Sequence, residues 1–220
     1  MKSLNQLLLE FDYEEKFNDD DFYVGKSNYY AFELINKYPK WEKNFLNIIG
    51  EKFSGKTHLT NIFLKKFNGV RIDSGLLNDG NFKTIKPYQN IILEDLSLNV
   101  REELIYTLFN IIDQDNKFLV ITSTQPITKI NFELEDLRSR TRNCLLAKIE
   151  NPDDELMFAL ILKNLSDRQI TLDKKLIDFI IKRIERSYSK IFEFIYKIDE
   201  ISLKKKKSID FKIIKEALEQ

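Results

Sequence analysis

The sequence predicts an α/β fold in which helices flank a parallel β-sheet, followed by a C-terminal unit made only of helices. Three observations support this. A glycine-rich segment, residues 50–57, separates an apolar run typical of a buried strand from a helical pattern. Further apolar runs alternate with helical patterns as far as residue 149, which favours a parallel sheet. After Pro152 every pattern is helical, so we predict an N-terminal segment 1–21, an α/β domain 22–150 and a helical subdomain 151–220.

Composition and charge restrict the classes of protein to which this chain can belong. Of its 220 residues, 43% are hydrophobic and 17 are Phe, which is enough for a sizeable core. Lys and Arg together number 35, as do Asp and Glu, so the formal net charge is zero. This balance disfavours a protein that binds nucleic acid mainly through nonspecific phosphate contacts.

Cysteine and histidine usage, with the hydropathy, excludes further classes. The single cysteine, Cys144, excludes an intrachain disulfide, and together with the single histidine, His58, it excludes a conventional zinc site. No apolar run approaches the length of a membrane span, and no cleavable leader is evident. We therefore expect a soluble, cytoplasmic protein without membrane contacts.

The first features lie ahead of the glycine-rich segment. Residues 5–11 are mainly apolar and are followed by an acidic stretch, residues 12–21. Such a segment, separated from the core by charges, is either a peptide that docks on a partner or a short helical start that folds back on the domain. Residues 28–38 show a helical stripe, with Ser27 or Asn28 as its cap and Pro39 after its end.

The glycine-rich segment, Gly50-Glu51-Lys52-Phe53-Ser54-Gly55-Lys56-Thr57, fits the phosphate-binding P-loop pattern G-x-x-x-x-G-K-T. Its two glycines allow the backbone to turn tightly and to approach a phosphate. The turned loop presents N–H groups to the anion, Lys56 supplies a positive charge, and the Thr57 hydroxyl is suited to ligate Mg²⁺. A predicted strand at residues 45–49 and a helix that begins at Lys56 give the required context. Nucleotide binding is the strongest functional prediction.

An acidic motif follows at residues 90–95. Three apolar residues lead into Glu94 and Asp95, which is typical of a buried strand that delivers carboxylates to its carboxyl end, where ligands bind in open α/β sheets. A P-loop enzyme needs one acid in the Mg²⁺ shell and another that orients the attacking water. We therefore interpret the segment as a Walker B motif, with Glu94 and Asp95 as catalytic candidates and with Thr57 and Glu94 as metal ligands.

The remaining runs complete the predicted α/β domain. We predict a short strand at 70–72, mostly loop from 74 to 88 and a helix at 100–113. The strand predicted at 118–121 ends in Thr122-Ser123-Thr124-Gln125, whose hydroxyls either sense the γ-phosphate or hold a water, or serve as ordinary strand-end caps. A polar, helix-like turn at 136–140 and a strand at 144–149 close the series.

The C-terminal part shows apolar stripes at helical spacing, for example within residues 156–160, 176–180 and 191–198. These stripes predict a bundle of helices that packs as a separate subdomain. Four consecutive lysines, residues 204–207, are interpreted as a solvated loop between helices rather than as a nucleic-acid contact, because no aromatic stacking partners accompany them.

The order of these parts resembles the AAA+ ATPases: a P-loop, a Walker B motif, a polar sensor strand, an arginine-bearing turn and a helical lid. Local sequence narrows the resemblance to the DnaA/Hda family. Residues 22–28 are similar to the segment that this family uses around adenine, and Gly55–Leu59 matches its GKTHL sequence. Residues 103–110 resemble its helix after Walker B, and Leu137–Arg140 resembles the turn with its arginine finger. The resemblance covers essentially the whole chain.

This resemblance implies a site for ADP or ATP with Mg²⁺ between the AAA+ domain and the lid. It implies that Arg140 is the arginine finger and that Lys190 occupies the position of the lid's sensor arginine. The catalytic candidates are then Glu94, Asp95, Thr124 and Arg140. The nucleotide-binding candidates are Val24, Asn28, Gly50, Ser54, Gly55, Lys56, Thr57, His58 and Lys190.

The N-terminal residues add a partner to this expectation. Residues 6–11 are similar to the hexapeptide that docks on the DNA polymerase sliding clamp, with Glu10 in place of the usual Pro. The partner-binding candidates are Gln6, Leu7, Leu9 and Phe11. With no dedicated DNA-binding domain expected, the resemblance implies a regulator that docks on the clamp, stimulates ATP hydrolysis by the initiator DnaA and so limits re-initiation. The resemblance is also compatible with a homo-oligomer.

Two departures from the family pattern affect the expected activity. Glu94 stands where Asp is usual, and Lys190 keeps the charge of the sensor arginine but loses its bidentate fork. Both predict slow hydrolysis by the protein alone. The main alternative is an AAA+ ATPase of the helicase-loader type that binds single-stranded nucleic acid, which the zero net charge and the hexapeptide disfavour. A small-molecule P-loop kinase is a third reading, but no acceptor pocket is evident for it.

Overall fold

The computed structural model describes residues 22–97 and 100–219, and its centre is a five-stranded sheet in the order β2-β3-β4-β1-β5. All neighbouring strands are parallel, as the sequence predicts. The strands are β1 (Phe45–Ile49), β2 (Gly69–Asp73), β3 (Asn90–Leu96), β4 (Phe118–Ser123) and β5 (Leu145–Lys148). The predicted hexapeptide, residues 6–11, lies outside the described residues.

Helices connect the strands and form the C-terminal part. They are α1 (Tyr29–Lys37), α2 (Lys56–Lys66), α3 (Asn81–Ile85), α4 (Glu102–Gln114), α5 (Glu135–Thr141), α6 (Asp154–Asp167), α7 (Lys174–Ile181), α8 (Tyr188–Lys205) and α9 (Phe211–Glu219). No helix within the described ranges is long and apolar enough to cross a membrane.

Apolar side chains cover the sheet on both faces, which explains why its strands read as continuous apolar runs. Successive residues alternate between the faces. Ile91 and Leu93 of β3 join the core beneath α3, α4 and α5, whereas Ile92 joins the core beneath α1 and α2. All three are fully buried. Burial of each such side chain contributes roughly 1.5–3 kcal/mol, so the two cores hold the sheet in a fixed register.

The stretch from 74 to 88, predicted as mostly loop, contains more structure than expected. Ser74–Leu76 forms a 3-10 turn in which the Asp73 side chain accepts a hydrogen bond from the Gly75 N–H. Helix α3 follows, and its Ile85 is completely buried against the sheet. The loop prediction was wrong for α3 because burial of Ile85 outweighs the local turn signals.

Helices α6–α9, which we call the lid, share a core of their own. That core contains, among others, Met157, Ile180, Ile195 and Ile214, each almost fully excluded from solvent. Helix α8 continues through Lys205, so the predicted lysine loop begins two residues later than expected, at Lys206. The lid follows directly on the segment after β5.

Parallel strands deliver their carboxyl ends to one edge of the sheet. In the register of this sheet Ile49 of β1 lies beside Ser123 of β4, and Leu93 of β3 lies beside Ile121. The P-loop that follows β1, the acids at the end of β3 and the hydroxyls at the end of β4 therefore meet at the same edge. This is where the candidate site lies.

Candidate functional site

The loop from Gly50 to Gly55 has a conformation that requires its glycines. Gly55 has a φ of 90°, in the left-handed region, and a Cβ there would lie 3.0 Å from Phe22 Cε2. A Cβ on Gly50 would lie 2.6 Å from Ser54 Oγ. The loop is therefore folded tightly around the position that the side chain of residue 50 would otherwise fill.

Lys56 is held in place by the loop itself. Its Nζ donates to the Gly50 carbonyl at 2.9 Å and to the Glu51 carbonyl at 2.8 Å, and the residue is buried. Burial lowers the pKa of Lys56, and the negative charges of Asp95, Glu94 and Glu51 oppose this effect. An ammonium has three N–H donors, and two have acceptors among the described residues. The third donor and the positive charge are thus held in position for a ligand.

Ser54 provides an independent sign that the loop accommodates a ligand. Its Oγ is buried and has no hydrogen-bond partner within the described part of the chain. A buried hydroxyl without a partner is costly, since it loses water and gains nothing in exchange. Ser54 lies between the two glycines, immediately before the start of α2, where backbone N–H groups and the helix dipole favour an anion.

Glu94 is the centre of a hydrogen-bonded cluster and is only 6% exposed. Its Oε2 accepts hydrogen bonds from Thr57 Oγ1 at 3.3 Å and from Thr122 Oγ1 at 2.9 Å. Its Oε1 accepts from Thr60 Oγ1 and lies 3.5 Å from Arg71 Nε. The structure thus brings together the two predicted metal ligands, Thr57 and Glu94, but both carboxylate oxygens also have partners within the chain.

Asp95 differs from Glu94 in its backbone conformation and in its exposure. It has a φ of 50° at an irregularity in the β3–β4 pairing and is exposed. Its N–H donates to Thr122 Oγ1 at 2.9 Å, and its carbonyl accepts from Ser74 Oγ at 2.7 Å. The left-handed backbone, which Asp tolerates, turns the carboxylate away from the core, so that it faces solvent and contributes to the field at Lys56.

Thr124, the predicted sensor residue, is exposed and lies on the wall of a cleft beside the P-loop. The cleft has a volume of about 410 Å³ and is lined by Ile49, Gly50, Glu51, Thr124, Lys148, Ile149, Glu150 and Asn151. Among the strand-end hydroxyls it is Thr122, not Thr124, that contacts Glu94. The cleft thus extends from the end of β1 to the segment that leads into the lid.

The candidates ahead of the P-loop have local partners. Asn28 Oδ1 accepts from the Gly25 N–H at 2.9 Å, and its Nδ2 donates to the Tyr23 carbonyl at 2.9 Å. Asn28 therefore fixes the turn around Val24, which is 37% exposed, and its side chain does not cap α1 as predicted. His58 is buried at an edge-to-face contact with the Phe22 ring, at a centroid distance of 5.2 Å.

Lys190 lies in the first turn of α8, and its side chain pairs with a residue of the same helix. Its Nζ pairs with Glu193 at 2.7 Å, and the side chain is 51% exposed. This bond and the charge of Glu193 raise the pKa of Lys190. The structure therefore pairs Lys190 with a neighbouring glutamate, and the charge of Glu51 in the P-loop also raises the pKa of Lys190.

Arg140, the predicted arginine finger, is engaged by two acids. Its guanidinium lies 2.9 Å from Asp113 and 2.9 Å from Asp136, and it packs over the Tyr106 ring at 5.7 Å. The side chain is 27% exposed. To act on a partner's nucleotide, Arg140 has to exchange these local contacts for new ones.

The sequence did not identify three residues that the structure brings to the site, Arg71, Thr60 and Glu51, and it named Thr122 only among the strand-end hydroxyls. Arg71 and Thr60 contact Glu94 from β2 and α2, Thr122 contacts it from β4, and Glu51 joins the P-loop to the lid. A buried acid needs partners, so a charged residue in the middle of a predicted strand, as Arg71 is, was an available signal. Nothing in the local sequence indicates the contact of Glu51.

Comparison with known proteins found a family model, sequence relatives and solved structures that are similar to this chain. The family model "Hda, lid domain" matches residues 153–218. The chromosomal replication initiator protein DnaA of Thermoanaerobacter sp. (strain X514) is 27% identical over an alignment of 232 residues, which covers 93% of this chain and 52% of that protein. The chain spans about half of the length of the curated DnaA relatives that it matches, between 41% and 55%.

Two solved structures show the same fold. Domain III of DnaA from Thermotoga maritima has a TM-score of 0.74 and 22% identity, over 93% of this chain and 98% of that one. AMPPCP-bound DnaA from Aquifex aeolicus has a TM-score of 0.68 and 21% identity, over 87% of this chain and 70% of that one. The sheet, the P-loop edge and the matched lid together make the chain similar to the AAA+ proteins of the DnaA/Hda family.

Proposed function

We propose that this protein is an Hda-like regulator of replication initiation, which binds an adenine nucleotide, docks on the sliding clamp and stimulates ATP hydrolysis by the initiator DnaA. The observation that carries the proposal is the combination of a complete P-loop site with a C-terminal part that matches the lid of Hda. The similarity to an AMPPCP-bound DnaA supports an adenine nucleotide as the ligand.

Residues of this chain have clear tasks in such a site. Lys56 and the N–H groups at the start of α2 would hold phosphate oxygens, and Thr57 with Glu94 would hold Mg²⁺. The orphaned Ser54 hydroxyl and the clash that a Cβ at residue 50 would cause both fit a loop shaped around an anion. When bound, Mg²⁺ would neutralise charge on the phosphates.

We expect slow ATP hydrolysis by the isolated protein, because Glu94, Lys190 and Arg140 already have partners within the chain. Glu94 is longer than the usual Asp, its two oxygens already bond to hydroxyls, and its Oε1 also faces the guanidinium of Arg71. Lys190 is paired with Glu193, and Arg140 with Asp113 and Asp136. The pairs of Lys190 and Arg140 are with acids outside the P-loop. A regulator that works on a partner's nucleotide needs no rapid turnover of its own.

The action on DnaA is proposed to depend on Arg140 and on the N-terminal hexapeptide. Arg140 lies at a partly exposed position, so an approaching initiator can reach it. Gln6, Leu7, Leu9 and Phe11, which lie outside the described residues, would tether the protein to the clamp. Clamp binding would then concentrate the regulator where newly replicated DNA is present.

A mixed hydrolysis assay tests the proposal. ATP-loaded DnaA is incubated with this protein, with and without DNA-loaded clamp, and phosphate release is measured. We expect release well above the sum of the separate proteins, and only when clamp is present. Strong, salt-sensitive binding to single-stranded DNA with no effect on DnaA would instead favour the helicase-loader alternative.

A further inference from the structure

The carboxylate of Glu51, a variable position of the P-loop, lies at the N-terminus of the lid helix α8. It accepts hydrogen bonds from Ser187 Oγ at 2.6 Å, from the Tyr188 N–H at 2.9 Å and from the Ser189 N–H at 3.3 Å. The first N–H groups of a helix have no partners within the helix, and its dipole attracts an anion there. Glu51 therefore caps α8 from 136 residues away in the sequence.

A second residue of the same loop reaches the same helix. The Phe53 ring stacks on the Phe192 ring of α8, with centroids 4.5 Å apart and an angle of 15° between the planes. Phe53 has a φ of 66°, a left-handed conformation that is rare for a bulky side chain. The loop thus accepts an unfavourable backbone at the residue that contacts the lid. Two side chains, two residues apart, hold one turn of α8 against the P-loop.

A third contact fixes the orientation of α8. The Tyr188 hydroxyl donates to the Glu150 carbonyl at 3.1 Å and lies 3.4 Å from Ser27 Oγ. The first turn of α8 is therefore joined to the P-loop and to the walls on either side of it.

The chemistry of Glu51 explains why the contact matters for a ligand. Its carboxylate belongs to a loop that is expected to bind phosphates, which would repel a free negative charge. The N–H and O–H donors of α8 satisfy this carboxylate instead. Burial raises the pKa of Glu51, but the hydrogen bonds from Ser187, Ser189 and Tyr188 outweigh it and lower the pKa, so the group remains ionised at neutral pH.

We propose that Glu51 is a positioning residue, which ties α8 to the P-loop and so slows release of the nucleotide from between the loop and the lid. This inference rests on the proposed nucleotide binding. A nucleotide held between the loop and the lid leaves when the lid moves away, so loss of the tie should accelerate its dissociation. The Phe53–Phe192 stack acts in the same direction.

Dissociation of a fluorescent ADP, mant-ADP, tests the proposal by stopped-flow chase with unlabelled ADP. Glu51→Ala and Phe192→Ala should each accelerate dissociation, Glu51→Ala on the order of tenfold, as loss of hydrogen bonds to a charged group predicts. The matched control is Asp210→Ala. Asp210 accepts bonds from the Lys212 and Ile213 N–H groups at the start of α9, both at 2.9 Å, and makes no such contact with the P-loop.

If Glu51 acts only as a cap that stabilises the lid, both Glu51→Ala and Asp210→Ala lower the melting temperature and neither changes the dissociation rate. That result, or an equal acceleration in Asp210→Ala, overturns the proposal. Hydrogen exchange in the nucleotide-free protein gives a separate measure. Faster exchange of the Tyr188 and Ser189 amides in Glu51→Ala supports the tie, and unchanged exchange contradicts it. If the unmodified protein binds no mant-ADP, it is the proposed function that fails.

Discussion

At the scale of single residues, Lys56 provides a buried positive charge at the site before any ligand is bound. Its ammonium is buried, bonds to two carbonyls of the P-loop and experiences three carboxylates, those of Asp95, Glu94 and Glu51. Burial lowers its pKa, whereas the carboxylates favour the charged form. A buried cation with this surrounding is suited to bind phosphate, which adds a partner without a large reorganisation.

Replacement of this lysine should remove nucleotide binding. We expect Lys56→Ala to weaken the affinity for ADP and ATP about 100-fold or more, since hydrogen bonds to charged groups contribute roughly 1.5–3 kcal/mol each. Isothermal titration calorimetry measures both affinities. Lys52→Ala, which removes an exposed lysine of the same loop, is the matched control and should bind nearly normally. Equal affinities in Lys56→Ala and the unmodified protein would rule out the P-loop assignment.

Arg71 is the cation that accompanies the buried Glu94. Its guanidinium also donates to Thr60 Oγ1 at 3.0 Å, so its removal leaves Glu94, within the described part of the chain, with hydroxyl hydrogen-bond donors and the charge of Lys56. We expect Arg71→Leu to lower the free energy of unfolding by about 1–3 kcal/mol, as loss of one partner of a buried charge does. Urea unfolding measures this value.

A double variant and a surface control make this test specific. Arg71→Leu combined with Glu94→Gln should cost less than the sum of the single changes, because the partners interact directly. Arg101→Leu removes an arginine whose side chain is 66% exposed and 3.9 Å from Asp79, and it should change stability by less than about 0.5 kcal/mol. Strict additivity of Arg71→Leu and Glu94→Gln would show that the contact carries no stability.

Arg140 allows its structural and functional roles to be separated. Arg140→Ala should leave the nucleotide affinity of this protein nearly unchanged and abolish stimulation of DnaA, since an arginine finger contributes factors of about 10³–10⁵ in rate. Melting curves and the mixed hydrolysis assay measure both properties. Arg138→Ala, which removes a 44% exposed arginine paired with Glu135, should stimulate normally. A variant at 140 that melts early but stimulates fully would indicate that the pairs with Asp113 and Asp136 are its only role.

At the scale of secondary-structure elements, the reactivity of the only cysteine, Cys144, reports on the packing of the edge strand β5. Cys144 immediately precedes β5 and packs against the core beneath α4 and α5. Burial raises the pKa of its thiol to about 12, Lys43 lowers it and Asp113 raises it further. Because the thiolate is the reactive form, the folded state should protect this thiol.

We therefore expect Cys144 to react with a disulfide reagent at pH 8 about a thousandfold more slowly in the folded protein than in urea, from the fraction of thiolate alone. Absorbance of the released thiol measures both rates. The reaction in urea also serves as the control that the reagent and the thiol are intact. Comparable rates in the two conditions would mean that β5 opens readily from the sheet edge.

At the scale of the whole molecule, the proposed function joins a folded AAA+ unit to a short N-terminal peptide. Gln6 offers an amide, and Leu9 and Phe11 offer apolar side chains. Burial of each of these two apolar side chains in a partner's cleft contributes roughly 1.5–3 kcal/mol to binding. Micromolar binding to the clamp is expected once ordering costs are subtracted.

Replacement of Gln6, Leu9 and Phe11 by Ala should eliminate clamp binding and leave the melting temperature unchanged. Surface plasmon resonance with immobilised clamp and a melting curve on the same variant test this. Leu8→Ala is the matched control, because Leu8 occupies an unspecified position of the Q-L-x-L-x-F pattern. Retained clamp binding together with a large drop in melting temperature would mean that these residues belong to the core instead.

Local sequence determined the features that depend on neighbours along the chain. The P-loop, the five strands and most helices were predicted because glycine spacing, apolar runs and helical stripes are local patterns, and the resemblance to AAA+ proteins followed from their order. The parallel sheet and its flanking helices are confirmed. The predicted division into domains and the roles assigned to site residues remain predictions.

Only the tertiary structure decided which side chains meet. The β3–β4 register brings Thr122 to Glu94, and the neighbouring β2 brings Arg71 to it. Burial of Ile85 stabilises α3 in a segment that the sequence predicted as mostly loop. The contact between Glu51 and Ser187 joins residues 136 positions apart. Such contacts depend on strand order, register and the packing of the lid, and a pattern that extends over a few residues carries no information about them.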